Sequence, residues 1–270
     1  MSSPETASDG HDDTPISAMH RGRKDRLASF SSGLAMAVLL GTLLGIPFWL
    51  LGLFRIIRIS GYWRAVAYVR RGRVLIVANH PSLIETFLIP LVFWPWAMLR
   101  LRMFPWSLPD KNLFRDFTPE HHERLRCIRV GRDDTLESRK LNWSAMKRVM
   151  EHFERQQCFV AHLEGGRTSK QVEHVSVGPN RMGRIRNAQI LKAAWKKRAW
   201  IMPLHVEMTD AMRQDLPGFG ESLRRLLLSP KCWPIRLEFR RPYRIVGQRF
   251  DEETEKRRLE LAILSPEMPA

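Results

Sequence analysis

Short runs of consecutive apolar residues, each bounded by turn-forming residues, predict buried strands at several points of the chain. Runs without polar alternation are typical of strands that helices cover on both faces of a sheet. One run alternates apolar and charged positions instead, which is typical of an edge strand. The predicted strands are Val74–Ala78, Leu125–Val130, Cys158–Leu163, Ala199–Val206 and the alternating Ile235–Phe239.

Longer stretches with apolar residues three and four positions apart predict helices between these strands. The predicted helices are Thr86–Met98, Leu141–Gln156, Arg181–Arg198, Gly218–Leu228 and Phe250–Leu264. The segments Asp133–Arg139 and Gln171–Asn180 have no such pattern and are predicted to be a linker and a loop. Strands that alternate with helices predict an α/β fold with a mixed, largely parallel sheet flanked by helices.

The first 60 residues have a different pattern from the rest of the chain. Residues 1–20 are polar and aperiodic, which predicts a disordered tail. Within residues 21–60, the segment Leu34–Phe54 has no charged residue and is long enough to cross a bilayer once. Pro47 interrupts it, and basic residues flank both ends, so a membrane-associated helical hairpin with both ends in the cytoplasm is favoured. A single span is the first alternative and a buried core helix the second. We expect residues 61–270 to form the globular domain.

Charge narrows the choice of partners. The 44 Lys and Arg residues exceed the 28 Asp and Glu residues, and the net charge of +16 attracts anions. We expect anionic membrane lipids and no nucleic acid, because the cations accompany a long uncharged segment and no nucleic-acid-binding motif is present. The three cysteines lack the spacing of a disulfide framework or a metal site, so we expect them to be buried thiols in a reducing compartment.

Candidate catalytic chemistry follows the Val74–Ala78 strand. His80 should lie at the rim of the sheet, where ligands bind in α/β folds, with Pro81 in the first turn of the next helix. Glu85 lies five positions after His80, an offset that does not share one face of an ideal helix. If His80 is just outside the helix, the turn brings Glu85 beneath the imidazole. A carboxylate there fixes the ring tautomer and raises its basicity.

These residues resemble a known family. His80-x-x-x-x-Glu85 resembles the His-x4-Asp motif of the glycerolipid and lysophospholipid acyltransferases, and Leu163–Ser169 (LEGGRTS) is similar to that family's Pro-Glu-Gly-Thr-Arg-Ser block. Ile128–Arg132 resembles the block that ends in a phosphate-binding arginine, and Ile201–Leu204 resembles the fourth block. The likeness covers about residues 74–207 in the family's order. It implies that residues 61–270 are an acyltransferase catalytic domain.

Three residues depart from the family's pattern. Glu85 stands in place of aspartate, Leu163 in place of proline and Gly166 in place of threonine. Glu-Gly-Gly-Arg also resembles the glycerol-3-phosphate branch of the family. The departures therefore bear on the acceptor more than on the reaction.

The resemblance also implies roles for individual residues. His80 acts as the general base on the acceptor hydroxyl, and Glu85 orients it. Arg132 and Arg167 bind the acceptor phosphate, and Glu164 holds the hydroxyl end of the acceptor. Gly165 and Gly166 let the backbone approach the ligand closely, and their amides are candidate donors to the oxyanion. The nucleophile is the substrate's own hydroxyl, so Ser82 is expected at a helix N-terminus.

The function that the resemblance implies is a membrane-bound O-acyltransferase of phospholipid biosynthesis, with its active site facing the cytoplasm. It would move a fatty acyl group from acyl-coenzyme A (acyl-CoA) or acyl carrier protein (acyl-ACP), as co-substrate, to a lysophospholipid. Conversion of lysophosphatidate to phosphatidate is favoured. No metal and no other cofactor is expected, and the adjacent His121 and His122 are predicted to be surface residues. The alternatives are acylation of glycerol 3-phosphate, another lysophospholipid or an aminolipid, and a non-catalytic lipid-binding protein on the same fold.

Overall fold

The computed structural model describes residues 41–111, 122, 124–133, 135–214 and 218–265. A six-stranded sheet with the strand order β1-β8-β7-β2-β4-β3 forms its centre, and a separate hairpin pairs β5 with β6. All neighbours in the large sheet are parallel except β7 and β8. The predicted α/β class, with a mixed and mostly parallel sheet flanked by helices, is confirmed. The predicted tail, residues 1–20, lies outside the described residues.

The strands of the structure are β1 (Ile57–Ser60), β2 (Val74–Ala78), β3 (Trp106–Ser107), β4 (Phe159–Ala161), β5 (His174–Val177), β6 (Asn180–Gly183), β7 (Trp200–Glu207) and β8 (Ile235–Phe239). The α-helices are α1 (Ile46–Leu53), α2 (Tyr62–Arg71), α3 (Glu85–Val92), α4 (Trp94–Leu99), α5 (Leu136–Glu154), α6 (Gln189–Lys196), α7 (Asp210–Arg213), α8 (Phe219–Leu228) and α9 (Glu252–Leu264). Short 3-10 turns cover Leu101–Met103, Thr168–Lys170 and Pro230–Cys232, and a π-helical turn, Gly41–Gly45, precedes α1.

Strand β2 lies in the middle of the sheet and is buried on both faces. All five of its residues are inaccessible to solvent. Leu75 and Val77 belong to the core on one face of the sheet, and the other three residues belong to the core on the opposite face. The continuous apolar run in the sequence follows directly from this double coverage.

Three sequence predictions are wrong between residues 125 and 198. Leu125–Val130 is not a strand, because only Cys127 and Val130 form isolated parallel bridges. The segment predicted as a linker becomes helical at Leu136, where α5 begins with Thr135 as its N-cap. Residues 171–183 contain the β5–β6 hairpin, so the predicted helix starts only at Gln189.

Strand β8 was predicted to be an edge strand, but it pairs with both β1 and β7. The alternation of apolar and charged residues in β8 arises because one face of the strand is open to solvent. On that face Arg236 is exposed and pairs with Glu207 of β7. Strand β1 comes from residues 57–60, within the segment predicted to associate with a membrane. The sheet therefore begins before residue 61.

The first described helical segment is short. The π-helical turn and α1 together cover residues 41–53, and Pro47 lies in the first turn of α1. Among the described residues, no helix has the length and apolar character needed to cross a membrane. Phe48 is buried in the core, but Ile46, Leu50 and Leu53 are exposed.

The prediction that the cysteines are buried and the prediction of a helix after Glu85 are confirmed. Cys127, Cys158 and Cys232 are all buried free thiols. The predicted helix over residues 86–98 forms as α3 and α4, with Phe93 between them, and packs into the core. His122 contradicts the prediction of a surface histidine, because it is only 2% exposed. His121 lies outside the described residues.

Candidate active site

The predicted site residues gather at one edge of the sheet. Strands β2 and β4 are parallel neighbours, so their carboxyl ends meet at the same edge. His80 lies two residues after β2 ends, and Glu164 lies three residues after β4 ends. Both residues are buried, with exposures of 4% and 0%.

The His80 side chain is held by Glu85, as the sequence predicts. Nδ1 of His80 lies 2.5 Å from Oε1 of Glu85. The same carboxylate oxygen accepts a weaker bond from the main-chain N–H of Ser82, at 3.3 Å. Helix α3 begins only at Glu85, so the prediction that Pro81 is in its first turn is wrong. The turn formed by residues 81–84 is what brings Glu85 back to the imidazole.

The main chain of His80 is held by the second motif. Its N–H donates to Oε1 of Glu164 at 2.6 Å, and its carbonyl accepts from the N–H of Thr168 at 2.8 Å. The other oxygen of Glu164 accepts from Gly183 N–H at 2.6 Å and from the Thr168 hydroxyl at 2.8 Å. Both carboxylate oxygens therefore contact protein donors. This arrangement does not favour the predicted contact between Glu164 and an acceptor hydroxyl, which stays a prediction.

Asn79 fastens the same loop to strand β7. Its side-chain amide donates to the carbonyl of Val206 at 2.9 Å, and its side-chain oxygen accepts from the N–H of Val206 at 2.7 Å. The residue is 2% exposed. This role was not predicted from the sequence, because the sequence does not indicate that β7 pairs with β2.

A second histidine, also missed from the sequence, contacts His80. The rings of His80 and His162 are stacked, with centroids 4.5 Å apart and planes 24° apart. Nδ1 of His162 lies 3.3 Å from the carbonyl oxygens of both Ala78 and Asn79, and Nε2 lies 3.5 Å from the Thr86 hydroxyl. His162 follows directly after β4, which explains how it reaches the end of β2.

Burial favours the neutral form of each group in this cluster. Desolvation, helped by the positive charges of Arg132 and Arg167, lowers the pKa of His80 to about 3. Burial raises the pKa of Glu85 to about 7. Above about pH 7, where Glu85 is ionised, its carboxylate accepts the Nδ1 hydrogen of His80. Nε2 of His80 is then the ring nitrogen that can accept a proton.

Arg132 is placed beside the site by a rigid turn. The side chain of Asn142 on α5 binds both the N–H and the carbonyl of Gly131, at 2.8 and 2.9 Å. A side chain at Gly131 would collide with Ser138, since a Cβ there would lie 2.2 Å from its hydroxyl. The Arg132 side chain is 31% exposed, and its Nε lies 3.6 Å from Asp110.

Arg132, His162 and Gly165 line one cleft of about 500 Å³, together with Arg186 and Asn187. Gly165 has a positive φ of 81°, which favours glycine, and Gly166 follows it with partial exposure. Arg167 is half-buried and contributes to the low pKa of both His80 and Glu85. The charges of Arg132 and Arg167 therefore both act on the imidazole, although the described residues that line the cleft include His162 and not His80.

The cluster of His80, Glu85 and His162 also meets the composition of a metal site, since one ligand atom of each lies within 4.8 Å of the others. Its geometry does not suit an ion. A metal lies in the plane of each imidazole that binds it, and two stacked, nearly parallel rings have no nearby point common to both planes. Nδ1 of His80 is also occupied by Glu85. We therefore derive no chemistry from a metal at this position.

A scan of the chain against protein-family models found no matching family, and a search of curated proteins found no significant match.

Proposed function

We propose that the protein is an O-acyltransferase that moves a fatty acyl group from a thioester, acyl-CoA or acyl-ACP, to a hydroxyl group of a phosphate-bearing acceptor. Lysophosphatidate, giving phosphatidate, is the favoured acceptor. The observation that carries this proposal is the His80–Glu85 pair at the sheet edge, with the 2.5 Å bond on Nδ1 that leaves Nε2 for substrate. The likeness of four sequence blocks to the glycerolipid acyltransferases supports the same chemistry.

In this mechanism, Nε2 of His80 removes the proton from the acceptor hydroxyl as its oxygen attacks the thioester carbonyl carbon. Glu85 keeps the Nδ1 proton in place and stabilises the imidazolium that forms. The tetrahedral intermediate then collapses, the carbon–sulfur bond breaks, and the thiolate takes the proton from Nε2. The products are the new ester and the free thiol. The amides of Gly165 and Gly166 are the proposed donors to the oxyanion.

The arginines favour an acceptor with a phosphate group. A guanidinium can bind two phosphate oxygens at once, and Arg132 lines the cleft beside His162. Arg167 acts on His80 electrostatically, so a phosphate held by both arginines would lie near the base. Holding the acceptor in this way turns a two-body encounter into an oriented one. The non-catalytic alternative rested on Glu85 in place of aspartate, but Glu85 reaches the imidazole.

A membrane location fits the surface around α1. Ile46, Leu50 and Leu53 lie on one helical face and are 47%, 48% and 74% exposed. Trp63, which is 70% exposed, packs edge-on to Trp96 nearby on α4. Arg55, Arg58 and Arg64, which are all exposed, follow α1 closely in the chain. Aromatic, apolar and basic side chains in such a mixture suit the headgroup region of an anionic membrane on the cytoplasmic side.

The test of function is transfer to a panel of acceptors. Purified protein is incubated with labelled acyl-CoA or acyl-ACP and with lysophosphatidate, glycerol 3-phosphate, other lysophospholipids and an aminolipid, and products are identified by mass. We expect labelled phosphatidate, and about 10²–10⁴-fold less of it from His80→Ala. Product from neutral acceptors alone would contradict the phosphate requirement, and equal activity of His80→Ala would falsify the role of the base.

The membrane location has a separate test. We expect the double variant Leu50→Glu, Leu53→Glu to lose flotation with vesicles that contain anionic phospholipid, because charge on this face opposes insertion. The matched control is Leu136→Glu on α5, where the native leucine is also 68% exposed. Equal flotation of the double variant and the wild type would contradict the proposal that α1 contacts the membrane.

A further inference from the structure

His162 is placed against the proposed base by contacts that fix both its position and its protonation. Carbonyl oxygens only accept hydrogen bonds, so Nδ1 of His162, which faces the carbonyls of Ala78 and Asn79, carries the hydrogen. Nε2 is then the acceptor and faces the hydroxyl of Thr86, although at 3.5 Å this contact is long. The ring is thereby tied in its neutral form to the end of β2.

The face of this ring covers the imidazole of His80. The two rings are nearly parallel at 24°, with their centroids 4.5 Å apart. The His80 ring can rotate about its Cβ–Cγ bond, and the bond from Nδ1 to Glu85 opposes that rotation at one atom. The stacked His162 ring opposes it over a whole face, because rotation about this bond drives the edge of the His80 ring into the His162 face. The same neighbour lines the cleft where the acceptor is proposed to bind.

We propose that His162 is a positioning residue for the general base, whose tethered, uncharged ring holds the plane of the His80 imidazole in the orientation that its bond to Glu85 sets. The expected effect on kcat rests on the proposed function, whereas the fixed orientation of the His80 ring does not. His162 exchanges no proton with the substrate in this role. It contributes by orienting the base, because small displacements of reacting atoms have large effects on the rate.

Three variants separate the ring from its nitrogens. His162→Phe keeps a flat face and loses both nitrogens, His162→Asn keeps an N–H donor without the ring face, and His162→Ala loses both. We expect kcat to fall by about tenfold to 100-fold in the Ala and Asn variants, with KM within about twofold of wild type. The Phe variant should retain most of the activity. Thermal unfolding identifies any variant that fails to fold.

The matched control is His152→Ala. His152 is a half-buried histidine that also packs against an aromatic ring, that of Trp106, with centroids 4.1 Å apart and planes 31° apart. It lies on α5 outside the proposed site, so its loss should leave kcat and KM unchanged. This control measures how much kcat and KM change when a histidine packed on an aromatic ring is deleted outside the proposed site.

A second readout does not depend on activity. In protein with ring-nitrogen-labelled histidine, nuclear magnetic resonance should show His80 and His162 each as a single Nδ1–H tautomer in the wild type. We expect the His80 signals to change to those of an averaged ring in His162→Ala and to stay fixed in His162→Phe. If the wild type transfers no acyl group, the proposed function fails while this measurement still decides the inference.

Three results would overturn the inference. The first is a His162→Ala variant with wild-type kcat and an unchanged His80 signal. The second is a His162→Phe variant as impaired as His162→Ala, which would assign the effect to the nitrogens. The third is a loss that appears only in KM, which would make His162 a binding residue.

Discussion

The chain leaves the sheet through two neighbouring loops, and each loop brings a buried glutamate to His80. Glu85, after β2, binds the side chain through Oε1, and its Oε2 is buried without a hydrogen-bond partner among the described residues. Glu164, after β4, binds the main chain, and both of its oxygens accept from protein donors. Burial raises the pKa of each carboxyl to about 7.

The two glutamates differ in whether they mainly stabilise the fold or mainly position the proposed base. A carboxylate with three protein donors stabilises the fold, because each donor would otherwise be buried and unpaired. A carboxylate with one unpaired oxygen is poorly compensated for its burial and contributes little to stability. Its position is explained by the atom that it does bind, the Nδ1 of the proposed base.

The largest effect is expected at Glu85. Glu85→Ala should lower kcat for acyl transfer by about 10²–10⁴-fold, because the His80 ring loses its fixed tautomer and the charge that stabilises the imidazolium. The free energy of unfolding should fall little. The substitution removes the bond to His80, but it also removes the cost of burying the unpaired Oε2. Steady-state kinetics and urea unfolding measure the two effects.

The control for Glu85→Ala is Glu207→Ala, an exposed glutamate at the end of β7 that pairs with Arg236. We expect this variant to match the wild type in both measurements. A loss of stability in Glu85→Ala larger than that of Glu164→Ala would reverse the comparison between the two loops.

Glu164→Ala should show the opposite balance. The N–H groups of His80 and Gly183 and the hydroxyl of Thr168 lose their acceptor, so we expect the free energy of unfolding to fall by at least about 2 kcal/mol. The protein that remains folded should transfer acyl groups faster than Glu85→Ala does. Urea unfolding combined with activity per folded molecule tests this, and an unfolding curve identical to that of the wild type would contradict it.

The pH dependence of stability sharpens the comparison further. Burial raises the pKa of Glu164 from its ordinary 4.5 to about 7, so between these pH values the folded protein holds a proton that the unfolded chain releases. The contribution of Glu164 to the free energy of unfolding therefore decreases as pH rises from about 4.5 to about 7. We expect wild-type stability relative to Glu164→Gln to fall across that range. Groups common to both proteins largely cancel, and a difference that is constant with pH would contradict the prediction.

The parts of the site that could be predicted from the sequence are those with local causes. The apolar runs of β2 and β7 show in the chain because helices cover both faces of the sheet there. The short spacing of His80 and Glu85 predicts that Glu85 lies beneath the imidazole, as it does, although the helix predicted to begin at Pro81 begins only at Glu85. The paired glycines after Glu164 predict a loop that approaches other groups closely, and Gly165 does adopt a positive φ.

The parts that could not be predicted depend on which segments become neighbours. His162 looks like one polar residue within the predicted strand Cys158–Leu163, and its role appears only when β4 pairs with β2. The sequence predicts a loop and a helix where the β5–β6 hairpin lies, because Met182 and Ile185 are three positions apart, as on one face of a helix. The contact of Gly183 with Glu164 is also not visible in the chain, although a side chain at Gly183 would collide with the Glu164 carboxylate, 2.6 Å from the Cβ position.

The smallest effect is expected from shortening the first glutamate. Glu85→Asp restores the residue usual in the family that the motif resembles, but Glu85 here reaches Nδ1 at 2.5 Å from the first residue of α3. An aspartate at the same backbone position falls short by one methylene, so the loop must shift or the bond must lengthen. We expect kcat to fall about tenfold, close to the loss of one hydrogen bond to a charged group, with stability unchanged. Full activity in Glu85→Asp would mean that the loop adapts to the shorter acid, and that the turn formed by residues 81–84 does not fix the distance.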